Sequence, residues 1–302
     1  MPKQLPKALI EQWVSEAAGT FTSRDIWHEL GIESSENRHY LRTILNRLTV
    51  EGILTRTGQD GRFRKVESDL KPIDWESADP DAVVPLSFPF GLDEYVSIYP
   101  KSIIVLAGTK NAGKSCWLYN FIALNMLQFE IDLFNSETGP EQMKGRFGPM
   151  DIPTPAPFKV YERYDNFADV IHPDHISVID YLDTQSEVYL VGVEIDDIFR
   201  KLKTGIAVIG IQKPPPTVVY VKGVRKLIER DLGYGGAFSA KRAAIYISMG
   251  SNILKLVTVK TPCNPKVNPN NARWSFTFSE NGSRFENIQR LYGDTEQPPA
   301  VE

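Results

Sequence analysis

The chain has 302 residues, 42% of them hydrophobic, with 34 basic against 38 acidic side chains and a formal net charge of -4. That length leaves room for one large and one small domain, and the composition is that of a globular protein rather than a disordered or fibrous one. The slight acidity gives no global signal for nucleic acid, but net charge does not exclude local basic patches.

Along the chain, Leu9, Ile10, Trp13 and Val14 have helical spacing. Thr22-Ser23-Arg24-Asp25 reads as an N-terminal cap before Ile26, Trp27 and Leu30. A third helix is predicted over residues 35 to 51, with Leu41, Ile44, Leu45 and Leu48 on its inner face. Residues 53 to 56 and 62 to 66 read as two strands joined through Gly58-Gln59-Asp60-Gly61.

Three helices and a basic hairpin resemble a winged helix-turn-helix domain, expected over residues 1 to 66. The third helix would present Asn37, Arg38, Arg42 and Asn46 to a major groove of duplex DNA. Arg56, Arg62, Arg64 and Lys65 would meet backbone phosphates from the wing. Winged helices also dock proteins, and this stretch carries nearly as many acids as bases, so that reading stands beside DNA binding. Residues 67 to 86, with Glu67, Asp69, Asp74, Glu76, Asp79 and Asp81 around Pro72 and Pro80, read as an acidic linker. The plainer alternative is an irregular segment anchored on the following domain by Ile73 and Trp75.

From residue 102 an apolar strand runs into Gly108-Thr109-Lys110-Asn111-Ala112-Gly113-Lys114-Ser115, a P-loop in the strand-then-helix setting it needs. The glycines let backbone N–H groups close on phosphate oxygens. Lys114 would reach the β and γ phosphates of ATP, and the Ser115 hydroxyl would ligate Mg2+. Residues 108 to 116 therefore form the expected ATP cradle, with Cys116 packed in the first turn of a helix over residues 115 to 127 whose N-terminus faces the anion.

A strand over residues 129 to 136 ends at Glu137, and a helix begins at Gly139 and continues to Arg146. A carboxylate at the C-terminal edge of a strand can stand beside the phosphates and activate water, which makes Glu137 the candidate general base; a solvated loop residue is the plainer reading. The strand over residues 176 to 183 carries Asp180 where a Walker B carboxylate would hold Mg2+. Residues 206 to 212 form another strand, ending in Gln212 where an amide can sense the γ-phosphate. A crossover helix over residues 187 to 203 completes an alternating pattern, hence an α/β fold with a mostly parallel sheet and flanking helices. Asp180 and Gln212 as mere strand caps is the alternative.

Asn135-Ser-Glu137-Thr-Gly-Pro-Glu-Gln-Met, Val178-Ile-Asp180-Tyr-Leu and Ile211-Gln212 resemble the RecA-type ATPase core, in particular the DnaB-like branch of hexameric helicases and related phage and mobile-element ATPases. The resemblance covers residues 88 to 280. It implies that Glu137 activates water, Asp180 orders Mg2+ and Gln212 couples the γ-phosphate to a DNA-binding loop. It also implies a homo-oligomer, hexamer or filament, in which basic residues of one subunit complete its neighbour's site. Residues 243 to 249 and 253 to 260 read as a hairpin around Gly250-Ser251-Asn252, and Lys260 stands where the family has a trans-acting lysine. The arginine expected two residues later is Pro262, so Lys266 or Arg273 are substitutes, and Lys260 as a solvated strand-end charge is the alternative.

Residues 213 to 236 show Pro214-Pro215-Pro216, then Lys222, Arg225, Lys226 and Arg230, then Gly233, Gly235 and Gly236, with no clear core pattern. The resemblance places such a segment at the channel or filament axis, where its bases would track single-stranded DNA and Tyr234 would stack. A basic surface helix over residues 224 to 232 is the alternative.

The ATPase domain is expected over residues 87 to 285, and residues 286 to 302 are expected to form a flexible tail. The whole reads as a DNA-dependent ATPase of replication, recombination or mobile-element maintenance, or else as a nucleotide-switched DNA-binding regulator with little hydrolysis. A small-molecule kinase would need an arginine-rich acceptor lid, which the sequence lacks. No apolar run reaches about 18 residues and no signal-peptide pattern opens the chain, so a cytoplasmic setting is expected, nucleoid-associated or in a phage-infected cell, without a membrane partner. Cys116 and Cys263 fit neither a disulfide framework nor a zinc spacing.

Overall fold

The computed structural model describes residues 6–17, 19–58, 61–68, 70, 72–182, 190–221, 224–250 and 252–292. The chain forms two compact units, Met1–Ala78 and Asp79–Glu302.

In the first unit, α1 (Lys7–Glu16), β1 (Thr20–Thr22), α2 (Ser23–Glu29) and α3 (Ser35–Val50) precede β2 (Leu54–Thr57) and β3 (Arg62–Lys65). Thr22 caps α2 by accepting from the Arg24 and Asp25 N–H groups, while the Asp25 carboxylate accepts from the Thr22 N–H at 2.6 Å. Such a reciprocal box satisfies otherwise orphaned donors at the helix start. The strands form an antiparallel sheet in the order β1-β3-β2. Because side chains alternate along a strand, Phe63 enters the core with Ile10, Ile26, Leu41 and Leu45, and Arg62 and Arg64 face solvent. The short strand β1 was unforeseen, since three residues are too few to show a period.

The second unit contains β4 (Ser102–Gly108), α4 (Lys114–Asn125), β5 (Ile131–Asn135), α5 (Pro140–Phe147), β6 (Lys159–Glu162), β7 (Ile176–Asp180), α6 (Leu190–Lys201) and β8 (Ile206–Gln212). Then come β9 (Thr217–Val221), β10 (Val224–Ile228), α7 (Ala237–Ala240), β11 (Ala243–Gly250), β12 (Ile253–Val259), β13 (Arg273–Ser279) and β14 (Arg284–Leu291). Nine strands make one sheet in the order β14-β13-β12-β11-β4-β8-β7-β5-β6. It is parallel from β11 through β6 and antiparallel from β11 to β14, so the expected mostly parallel α/β fold is what the chain adopts. Both faces of the parallel part are covered, as such sheets require. Ile104 and Leu106 face Trp117, Phe121 and Ile122 of α4, and the alternate residues Ile103 and Val105 share the opposite cluster with Ile195 and Ile198 of α6.

Several boundaries differ from expectation. Residues 286 to 291 are not tail: they belong to β14, which pairs with β13 because Phe285 packs on the aromatic cluster of Phe276 and Phe278. The tail from residue 293 lies outside the described residues. Residues 213 to 236 are neither a long loop nor a basic helix. They contain β9 and β10, an antiparallel ribbon separate from the main sheet, in which the β-branched run from Thr217 overrides the weak helical period. Ile73 and Trp75 are 83% and 74% exposed, and Leu86, at the end of the acidic stretch, is buried in the second unit's core. No helix among the described residues is long and apolar enough to cross a membrane.

Candidate nucleotide-binding site

Strand β4 delivers Gly108 to the C-terminal edge of the sheet, and the chain turns through Asn111 (φ 62°) and Gly113 (φ 94°) into α4. A Cβ on Gly113 would lie 2.6 Å from the Phe278 ring, and one on Gly108 would lie 2.7 Å from the Lys114 Cγ. Both positions need glycine, because the backbone is left-handed at one and a side chain lies against the other. Lys114 is buried, its ammonium donating to the Gly108 and Thr109 carbonyls at 3.3 and 3.4 Å. Burial lowers its pKa, while Glu137 and Asp180 favour the charged form.

Ser115, the next residue of α4, donates its hydroxyl to Asp180 Oδ1 at 3.1 Å. Asp180 ends β7 with no solvent exposure, and its Oδ2 has no hydrogen-bond partner among the described residues. Burial raises the Asp180 pKa; the Ser115 bond opposes this, the Glu137 charge adds to it, and Tyr119 and Lys114 act against it. An orphaned buried carboxylate oxygen beside a hydroxyl is a hard-oxygen donor set that fits Mg2+, which takes few protein ligands and fills its shell with water and phosphate.

Above these residues lies a cavity of about 540 Å3. The P-loop, Glu137 and Gln212 line it. Parallel register explains the convergence: Gln212 pairs with Gly108, and Asn135 with Asp180, so four strand ends share one edge. Glu137 is exposed on a turn fixed by the Asn135 side chain, whose Nδ2 donates to the Thr138 carbonyl and whose Oδ1 accepts from the Thr138 N–H at 3.2 Å.

The same cavity is lined by residues that sequence reasoning did not assign: Arg146, Tyr181, Phe278, Asn281 and Gly282. Arg146 lies at the end of α5, one helix beyond Glu137, without an acidic partner among the described residues. It favours the Cys116 thiolate, but burial outweighs it and pushes that thiol up to about 12. Phe278 and Asn281 lie far along the chain, and no local signal pointed to them.

Lys260 is not in this cavity. Strand β12 runs antiparallel to β11, so Val259 is level with Ile245, which pairs with Ile104 near the start of β4, whereas Gly108 pairs with Met249. At about 3.3 Å per residue, Lys260 sits roughly 15–20 Å from Gly108, at the opposite edge of the sheet. A catalytic role would have to be played in another copy's site. Lys266 and Arg273, both exposed, line this cavity no more than Lys260 does.

Immediately after Gln212, the Lys213 N–H donates to the Gly108 carbonyl at 2.9 Å. Its buried ammonium donates to Glu229 Oε1 at 2.8 Å and to Ser248 Oγ at 3.0 Å. This knot clamps the root of the β9–β10 ribbon to the strand end that carries Gln212. On the ribbon, Arg225 pairs across from Tyr220, which is 72% exposed, and Lys226 across from Val219. Arg230 is exposed beyond β10, and Lys222 lies outside the described residues. Tyr234, expected to stack on bases, instead packs against the core, its N–H donating to the Gln212 carbonyl at 2.8 Å. Tyr220 is the aromatic available on this segment.

No protein-family model and no curated protein matches this chain. Among solved structures it is similar to one described as the crystal structure of the RadB recombinase, with a TM-score of 0.40 and 10% identity over 61% of this chain and 90% of that one. A likeness this distant carries no functional weight, and the reading of the site rests on its own geometry.

In the first unit, Arg42, Arg62 and Arg64 are exposed. Arg38 is half-buried, its Nε donating to the Ile32 carbonyl at 3.1 Å and its guanidinium lying 4.8 Å from the Trp27 ring centre. Arg42 leans on the same ring at 5.2 Å. Asn37 stands in the first turn of α3, where its N–H is capped by Ser34 Oγ at 3.2 Å. Asn46 accepts from Arg56 at 2.6 Å, so these two are already paired with each other.

Proposed function

We propose that this protein is a RecA-type ATPase that hydrolyses ATP with Mg2+ and couples turnover to DNA, assembling as a ring or filament of the DnaB-like helicase kind. The observation that carries the reading is the convergence of Lys114, Ser115, Glu137 and Gln212 on one cavity at one sheet edge, with buried Asp180 bonded to the Ser115 hydroxyl. Lys114 binds the terminal phosphates through its ammonium, and the N–H groups at the start of α4 bind them through hydrogen bonds. Mg2+, held by Ser115 and through water by Asp180, would neutralise phosphate charge when bound. Glu137, exposed at the cavity wall, orients the attacking water and accepts its proton. Gln212 contacts the γ-phosphate end and, through Lys213, shares a strand end with the ribbon root.

The ribbon is the proposed DNA contact: Arg225, Lys226, Arg230 and Lys222 would supply charge for single-stranded phosphate, and Tyr220 would supply a stacking face. The first unit, as a winged helix, would recruit duplex DNA through Asn37, Arg42, Arg62 and Arg64, with Arg38 bracing the surface through Trp27. Lys260, at the far sheet edge, would serve the site of an adjacent copy. The expected setting is cytoplasmic, in replication, recombination or mobile-element maintenance.

The test is ATP hydrolysis with and without single-stranded and duplex DNA. Strong stimulation, abolished by Lys114→Ala through loss of binding and by Glu137→Gln with binding retained, is the expected result. DNA-insensitive or absent turnover with tight duplex binding would instead identify a nucleotide-switched regulator.

A further inference from the structure

We propose that the turn between β13 and β14 is the nucleobase seat of this cavity, with Phe278 as the stacking surface and Asn281 as the side chain that reads an adenine edge. The proposal rests on the phosphate-binding reading above and adds the base specificity of the site.

Sheet order fixes the direction in which a nucleotide must lie. Glu137, Asp180 and Gln212 arrive on β5, β7 and β8, all on one side of β4, while β13 and β14 lie on its other side beyond β11 and β12. A triphosphate whose terminal group sits between Lys114 and Gln212 therefore extends its ribose and base across Gly113 toward the β13–β14 turn. Strand β13 runs parallel to β4, since β11 parallels β4 and each of the next two pairings reverses direction. Its C-terminal end thus reaches the P-loop edge, and Phe278, Asn281 and Gly282 line the cavity there.

The turn is rigid. Glu280, Asn281 and Gly282 have φ of 48°, 57° and 82°, and buried Ser283 donates its N–H to the Ser279 and Glu280 carbonyls. Asn120 of α4 donates from Nδ2 to the Ser283 carbonyl at 2.9 Å and to the Cys116 carbonyl at 2.8 Å, tying the turn to the helix that begins the P-loop site. Phe278 is set by an edge contact with Phe276 at 5.2 Å and a tilted one with Phe285 at 5.5 Å. Asn281 is exposed, and its amide meets no protein partner among the described residues. An asparagine amide offers one donor and one acceptor spaced to match the N6 and N7 positions of adenine, a pairing that guanine, with acceptors at O6 and N7, does not complete. Aromatic stacking adds affinity for any base.

The test measures binding of the full chain, with Mg2+, to a non-hydrolysable ATP analogue, its GTP counterpart and inorganic tripolyphosphate. The unmodified protein should bind the ATP analogue about tenfold or more tightly than tripolyphosphate, and more tightly than the GTP analogue. Phe278→Leu, which keeps an apolar side chain in the cluster, should lose most of the advantage of nucleoside over tripolyphosphate while tripolyphosphate affinity stays within about twofold. Asn281→Gly, which suits the left-handed turn, should lose the adenine preference alone. Tripolyphosphate binding as tightly as the ATP analogue, or both variants keeping the unmodified pattern, would overturn the base seat and leave the phosphate site standing. An unmodified protein that binds none of the three would overturn both.

Discussion

The Lys213–Glu229 pair gives a prediction whose sign depends on unequal burial. The Lys213 side chain is 3% exposed and that of Glu229 27%. Removing one partner of a buried pair costs about 3–5 kcal/mol because the other charge is left uncompensated. Glu229→Gln leaves a buried ammonium with Ser248 Oγ but no counter-charge, so it should approach that range. Lys213→Met strands a carboxylate that is already partly hydrated, so about 1–3 kcal/mol is expected. The two costs differ by about 2 kcal/mol, and in a unit of this size 1 kcal/mol moves Tm by roughly 2–4 °C, which puts the two variants about 4–8 °C apart, with Glu229→Gln the lower. Gly250→Ala should mimic Glu229→Gln, because its Cβ would lie 1.9 Å from Glu229 Oε1 and would push the carboxylate away. Thermal unfolding followed by circular dichroism decides the order. If Lys213→Met were the more damaging variant, or if all three melted within a degree of the unmodified protein, the argument from burial would be wrong.

Asp180→Asn should stabilise the ligand-free protein at neutral pH by on the order of 1–3 kcal/mol, since it removes a buried charge with an unpaired oxygen and keeps an acceptor for Ser115. Because burial raises the Asp180 pKa, the penalty in the unmodified protein is absent while the carboxyl is protonated in both states, grows as pH rises from the ordinary carboxylate range toward the folded value, and is constant above it. The stability difference between variant and unmodified protein should therefore increase from about pH 4 upward and then level off; a pH-independent difference would count against burial as the cause. With ADP bound, Mg2+ should raise the Tm of the unmodified protein and not that of the variant. Gly113→Ala should cost about 2–5 kcal/mol, from the left-handed backbone and the contact with Phe278 together, and should weaken nucleotide binding more than tenfold. Normal binding by calorimetry would show that the P-loop relaxes around the added methyl.

What consecutive residues can encode was legible before any tertiary contact was known. The P-loop is a local object: an apolar strand, two glycines placed for backbone reasons, then Lys114 and Ser115 on the first turn of a helix. The Thr22–Asp25 cap and the inner face of α3 are local in the same way. Glu137, Asp180 and Gln212 were legible because parallel strands of similar length end at a common edge, so each strand's last polar residue marks that edge. Tertiary structure decided what depends on direction and distant contact. The reversal at β12 put Lys260 at the far edge of the sheet, which its place after an apolar run does not reveal. The β-branched residues of β9 and β10 paired with each other instead of forming a helix, and core packing took Tyr234 and left Tyr220 exposed. Phe278 and Asn281 reach the phosphate loop only because two successive antiparallel pairings bring β13 back parallel to β4, and sheet order of that kind is settled by packing between residues far apart in the chain.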